Sequence, residues 1–237
     1  MSDMHLHLEE HLESSDMLSD IVIGMSDGLT VPFALAAGLS GAVSGNVSLI
    51  WIAGIAEICA GSIAMGLGGY LAGKTEQDHY ASELKQEYWE LEHKREFEID
   101  EVRKVFLEWG LSKTVAEEAT QEIIKDDDRW VEFMMKHELG LTKPDPKRAS
   151  RSAFNIGVSY VVGGLIPLTP YFFVDNALKG LELSAMITLV CLFVFGYFKS
   201  KLTGINPWLG GLKVMMIGAV AAGAAFGIAR LIEGGHA

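Results

Sequence analysis

The chain has 237 residues, 49% of them apolar and 21% charged, and a formal net charge of −12. A solvated part this acidic has no basic face for phosphate, which excludes nucleic acid as a partner and makes cations the natural one. Cys59 and Cys191 both lie in apolar runs, so neither a disulfide framework nor a cysteine-based zinc site is available.

Charge is segregated along the chain. Residues 74–151 carry 14 of the 19 Lys and Arg, residues 1–73 carry none, and the remainder carries 5. This pattern divides the chain into a polar tail (1–17), a membrane pair (18–73), a water-soluble insert (74–151) and a second membrane segment (152–237). The tail is acidic, lacks the basic start and apolar core of a secretory signal, and is expected to stay in the cytosol. Its His5, His7 and His11 form a short His-rich tract. The tract reads as part of a disordered tail rather than a metal site, and no role is assigned to it.

Spanning the hydrocarbon core takes about 20 mostly apolar residues in a helix. Five runs qualify: 18–43, 47–73, 153–174, 181–198 and 209–232. The first two are joined by Ser44-Gly45-Asn46, which demands a tight antiparallel hairpin. The fold class predicted is an all-α membrane protein with five transmembrane helices and a three-helix insert between the second and third. Lys and Arg concentrate in the insert and in the link from 199 to 213, so the positive-inside rule places the insert in the cytosol. Gly66, Gly68, Gly69 and Gly73 in the second span, and Gly218, Gly223 and Gly227 in the fifth, supply small faces for close packing.

Within the insert, a charged run from 74 to about 109 follows the second span without Pro or Gly, which predicts one long helix ended by Gly110. Thr114 with Glu117 reads as a capping box for a second helix. Asp126-Asp127-Asp128 opens a third, which Gly140 ends, and Pro144 and Pro146 stiffen the return to the membrane.

Glu87, Glu90, Glu98 and Glu101 share a face roughly 80° wide at about 100° per residue. The plain reading of that stripe is a solvated acidic face. Like charges on one face destabilise an isolated helix, however, so a cation would stabilise it. The third helix adds Met134, Met135 and Glu138; core packing is the plain reading of the methionines. Thioether beside carboxylate shifts preference from calcium or magnesium toward transition metals such as ferrous iron. Two Glu-x-x-His pairs, Glu76 with His79 and Glu90 with His93, resemble di-iron ligands, but both lie on one predicted helix where facing helices are needed.

Inside the spans stand Asp20, Asp27, Glu57 and Met65. Ionisable groups at membrane depth are costly and mark ion paths by default. Asp20 lies nearest the interface. Asp27 precedes Gly28 and Pro32, where a helix can kink or open. Glu57 and Met65, eight residues apart, sit about 80° around the helix and roughly 12 Å along it, which suits one path at two depths.

The run from Asp20 through Met25-Ser26-Asp27-Gly28 and Pro32 to Gly41 resembles the first-helix signature of the vacuolar iron transporter family. Glu57, followed by Ala60-Gly61-Ser62-Ile63-Ala64-Met65 and Tyr70, resembles its second helix, and Trp130 through Met134, Met135 and Glu138 resembles its cytosolic segment. The resemblance implies a homodimeric antiporter with neither a prosthetic group nor catalysis of its own. It would move Fe2+ out of the cytosol in exchange for protons, with Mn2+, Co2+, Zn2+ and Ni2+ as further candidates. It implies a vacuolar membrane in a eukaryote, or the plasma membrane in a bacterium. Glu87, Glu90, Glu98, Glu101, Met134, Met135 and Glu138 become a metal-collecting cluster; Asp27, Glu57 and Met65 become the path. The rival reading is a membrane-anchored ferroxidase or metal buffer.

Overall fold

The computed structural model describes residues 15–42 and 46–234. The histidine tract of the tail and Ser44-Gly45 of the first hairpin therefore lie outside the described residues. Regular structure within them is entirely helical: α1 (Ser15–Ala42), α2 (Val47–His93), α3 (Arg95–Glu108), α4 (Lys113–Ile123), α5 (Asp127–His137), α6 (Arg148–Leu168) with a 3-10 turn (Thr169–Phe172), α7 (Ala177–Leu202) and α8 (Pro207–Gly234). Five segments are long and apolar enough to cross a bilayer: Asp16–Ala42, Val47–His93, Arg148–Phe172, Ala177–Leu202 and Pro207–Glu233. Each overlaps one of the five expected spans, the second running on past residue 73 into the charged segment, because about 20 apolar residues in a row satisfy both the helix and the hydrocarbon core.

The chain divides into two compact units, one comprising the described residues through Tyr70 and from Ser150 onward, the other Leu71–Ala149. In the first unit, small residues bring backbones into contact. A Cβ on Gly24 or Gly28 of α1 would collide with the carbonyl oxygen of Ile156 or Tyr160 on α6, and a Cβ on Gly163 would stand 3.0 Å from the amide nitrogen of Leu29. On α2, Gly66 meets the Ala153 carbonyl oxygen of α6 in the same way and Gly69 meets the side chains of Ile156 and Ser152, whereas Gly68, Gly223 and Gly227 face open space. The expected close packing thus holds for Gly66, Gly69, Gly73 and Gly218, whose neighbour is Leu192, and Gly24 and Gly28 of α1 add close approaches that were not expected.

Backbone cannot move aside as a side chain can. Gly28→Ala is therefore expected to lower the unfolding midpoint in detergent by about 5–10 °C, the scale of an overpacked core site. Gly223→Ala, whose added methyl meets nothing within 4 Å, should leave it unchanged.

The second unit is built on a core that includes Leu91, Val102, Phe106, Trp130, Val131 and Met134. One expectation fails here. The predicted single helix from 74 to 109 is two helices, interrupted at Lys94, whose φ of −129° and ψ of 27° leave the helical region. A straight rod would carry Val102, Val105 and Phe106 past the neighbours that bury them. The break lets α3 turn that face onto the core, so the insert holds four helical segments instead of three. The second helix also starts two residues early: Ser112, not Thr114, is the cap, and its side chain accepts the Val115 N–H at 3.4 Å. The other signals act as expected. Asp126 caps α5 by accepting the Arg129 N–H at 2.8 Å, and Gly110 and Gly140 follow α3 and α5 at φ of +86° and +66°.

Candidate metal-binding site

The acidic stripe survives the break at Lys94 because the two helices still turn their carboxylates toward one another. Glu87 and Glu90 come from the end of α2, Glu98 and Glu101 from α3, and Glu138 from the C-cap of α5. Glu87 feels the negative charge of the other four. Glu87 and Glu98 are 4% and 1% exposed, and Oε2 of each is buried without a hydrogen-bond partner. Burial first, and then repulsion from neighbouring carboxylates, push Glu87 up to about 8 and Glu98 up to about 7. Glu101 and Glu138 are raised for the same reasons, burial leading. Lys94 engages Glu90 at 2.9 Å from the rim.

Met134 and Met135 are fully buried in the core of this unit. Met134 lies one helical turn before Glu138 and so on its side of α5. Met135 instead borders a separate hollow of about 440 Å³ beside Tyr80, Leu84 and Tyr88. Among the described residues no three His, Cys, Asp or Glu side chains already surround a single ion position. The five glutamates are neighbours, not a closed cage. Of the Glu-x-x-His pairs, both on α2, His79 faces Glu83 at 3.5 Å, and His93 stacks on Trp89 with Nδ1 2.8 Å from its carbonyl oxygen. Among the described residues neither pair meets a counterpart on a facing helix.

In the first unit the four residues identified from the sequence do not form one group. Asp20, 2% exposed, accepts hydrogen bonds from Ser152 Oγ at 2.8 Å and Asn155 Nδ2 at 3.4 Å, near the start of α6. Glu57 accepts a hydrogen bond from the Tyr160 hydroxyl on Oε1, while its Oε2 is buried and unpartnered. It borders an otherwise largely apolar hollow of about 500 Å³ between α1 and α8. Asp27 is half-buried and is followed by Gly28, whose Cβ position meets the Tyr160 carbonyl oxygen of α6. The helix is continuous through Pro32 instead of opening there; proline still deprives the Gly28 carbonyl, next to Asp27, of its usual donor. Met65 is half-buried further along α2.

Sequence reasoning missed Ser152, Asn155 and Tyr160. A signal was present: with Ser159 they place polar groups at helical spacing along the apolar α6.

The profile of the VIT family matches residues 18–230. The chain belongs to the VIT family. The matched segment of this VIT-family chain contains every carboxylate and methionine described above. The chain is 49% identical over 229 residues to a protein named vacuolar iron transporter 1 from Tulipa gesneriana, covering 96% of this chain and 92% of the tulip protein. It is 47% identical over 227 residues to vacuolar iron transporter 1 of Arabidopsis thaliana, covering 96% of this chain and 90% of that protein. A more distant VIT-family resemblance, 39% over 226 residues, is to Protein CCC1 of Saccharomyces cerevisiae, covering 91% of this chain and 69% of the yeast protein.

Proposed function

We propose that this chain carries Fe2+ out of the cytosol across a vacuolar or bacterial plasma membrane in exchange for protons, working as a homodimer with the unit Leu71–Ala149 on the cytosolic side. The observation that supports the reading best is the acidic cluster. Glu87 and Glu98 are buried, each has an orphan oxygen, and three further carboxylates stand beside them. Such a group is stable only if a proton or a cation neutralises it.

Glu87, Glu90, Glu98, Glu101 and Glu138 collect divalent metal on the cytosolic side, with Met134, one helical turn before Glu138, as the soft donor nearest to them along α5. Asp27, Glu57 and Met65 then form the path, where the unpartnered Glu57 Oε2 is the oxygen free to accept a dehydrated ion. Protons compete for the same carboxylates and release the metal. Mixed oxygen and thioether donors also accommodate Mn2+, Co2+, Zn2+ and Ni2+. Asp20, bonded on both oxygens to α6, holds α1 at the mouth of the path.

The purified chain in liposomes, with an outward-directed or inward-directed pH gradient imposed, is expected to accumulate Fe2+ only when protons move the opposite way. Accumulation indifferent to the gradient would remove the antiport. Oxygen consumed in proportion to added iron, with no flux, would replace the transporter by a membrane-anchored ferroxidase.

A further inference from the structure

The α7–α8 connection carries a charge pattern opposite to the molecule as a whole. Residues 183–232 contain Lys199, Lys201, Lys213 and Arg230 and no Asp or Glu, in a chain of net charge −12. The three lysines fall in the last turn of α7 and the first two turns of α8. No salt bridge joins any of them to a described residue.

Packing of the hairpin sets where they point. Ser200 is buried against Gly210, so Lys199 and Lys201, on either side of it in sequence, leave the hairpin on opposite flanks. Phe193, Tyr197 and Lys201 recur every four residues and share one face of α7. Trp208, 67% exposed, lies against that face with its ring 5.9 Å from Phe193 and 5.3 Å from Tyr197. Val214 packs on Gly196, which sends the preceding Lys213 to the other flank with Lys199. One flank is an aromatic shelf ending in an ammonium group, and the other is a lysine pair at the same end of the hairpin.

Trp and Tyr settle at the depth of lipid headgroups, and lysine stems reach outward from that depth to phosphate. We propose that the α7–α8 connection is a docking surface for anionic glycerophospholipid headgroups, whose phosphates pair with Lys199, Lys201 and Lys213 while the Phe193–Tyr197–Trp208 shelf seats the glycerol region. A zwitterionic headgroup brings its own ammonium beside the phosphate and gains less from lysines that have no salt-bridge partner among the described residues. Net negative lipid is therefore selected.

The test uses the full chain in nanodiscs of phosphatidylcholine alone, or with a third of it replaced by phosphatidylglycerol. The unfolding midpoint of the wild type is expected to rise by about 5 °C with the anionic lipid. The triple variant Lys199→Gln, Lys201→Gln, Lys213→Gln should match the wild type in phosphatidylcholine and lose most of that rise. If the triple variant does not fold, Lys201→Gln and Lys213→Gln alone should each lose part of it. Free glycerol phosphate should shift nothing. The proposal is overturned if the wild type shows no rise, if the variants keep it in full, or if glycerol phosphate reproduces it. It is equally overturned if the lysines change only the oligomeric state, which would assign the surface to a second copy of the chain.

Discussion

Asp27→Asn is expected to lower Fe2+ flux in liposomes by about two orders of magnitude, the scale on which a charge at membrane depth is worth a few kcal/mol. Asp27 is half-buried in α1, beside the Gly28 that touches the α6 backbone, and accepts no side-chain hydrogen bond from the described residues. A carboxylate so placed is costly until a cation arrives, and Asn keeps its shape while removing the charge. The cluster of glutamates belongs to the other compact unit. Equilibrium metal binding to the same purified variant should therefore stay at the wild-type level. Wild-type flux in correctly inserted Asp27→Asn protein would make the residue structural and remove it from the path.

The second large effect concerns pH and the empty cluster. Glu87 and Glu98 titrate near 8 and 7 in the folded protein, against about 4.3 in an unfolded chain. Between those values the folded state binds more protons than the unfolded state, so stability falls as pH rises. Below about 4 both states are protonated and above about 8 both are ionised, so the dependence is confined to that window. A metal-free fragment spanning Leu71–Ala149, which contains its own core, should thus melt lower at pH 8 than at pH 5. Glu98→Gln removes one buried charge and is expected to raise the midpoint at pH 8 by about 5–10 °C while changing it little at pH 5. A divalent ion added to the wild type at pH 8 should restore most of the lost stability, because it neutralises the group that the proton has left. Equal midpoints at the two pH values would show that the carboxylates are solvated and paired, and would end their role as a collecting cluster.

Features set by near neighbours along the chain are legible in the amino-acid sequence itself. The five long apolar helices, the Asp126 cap and the glycines that follow α3 and α5 each depend on residues within a turn or two, where composition, helical period and backbone freedom decide the outcome. Within each helix the three-residue spacing of Glu87 with Glu90 and of Glu98 with Glu101 is legible, but the two pairs are brought together across the break at Lys94 by packing and not by one helical period; burial of Met134 and Met135 follows the plain reading of apolar residues on an amphipathic helix.

Tertiary structure decided the rest. Lys94 leaves the helical region where the sequence has no Pro or Gly, although its N–H still bonds the Glu90 carbonyl and its carbonyl still accepts the Glu98 N–H, and beyond the bend Val102, Val105 and Phe106 lie in the core. The depth of Glu98 and the orphaned oxygens exist only once α2 and α3 close on α5. The partners of Glu57 and Asp20 come from α6, 103 and 132 residues away. A sequence reports that a carboxylate sits in an apolar span. Which hydroxyl meets it depends on how closely the glycine faces of α1 and α2 let α6 approach, a property of three helices together and of none alone.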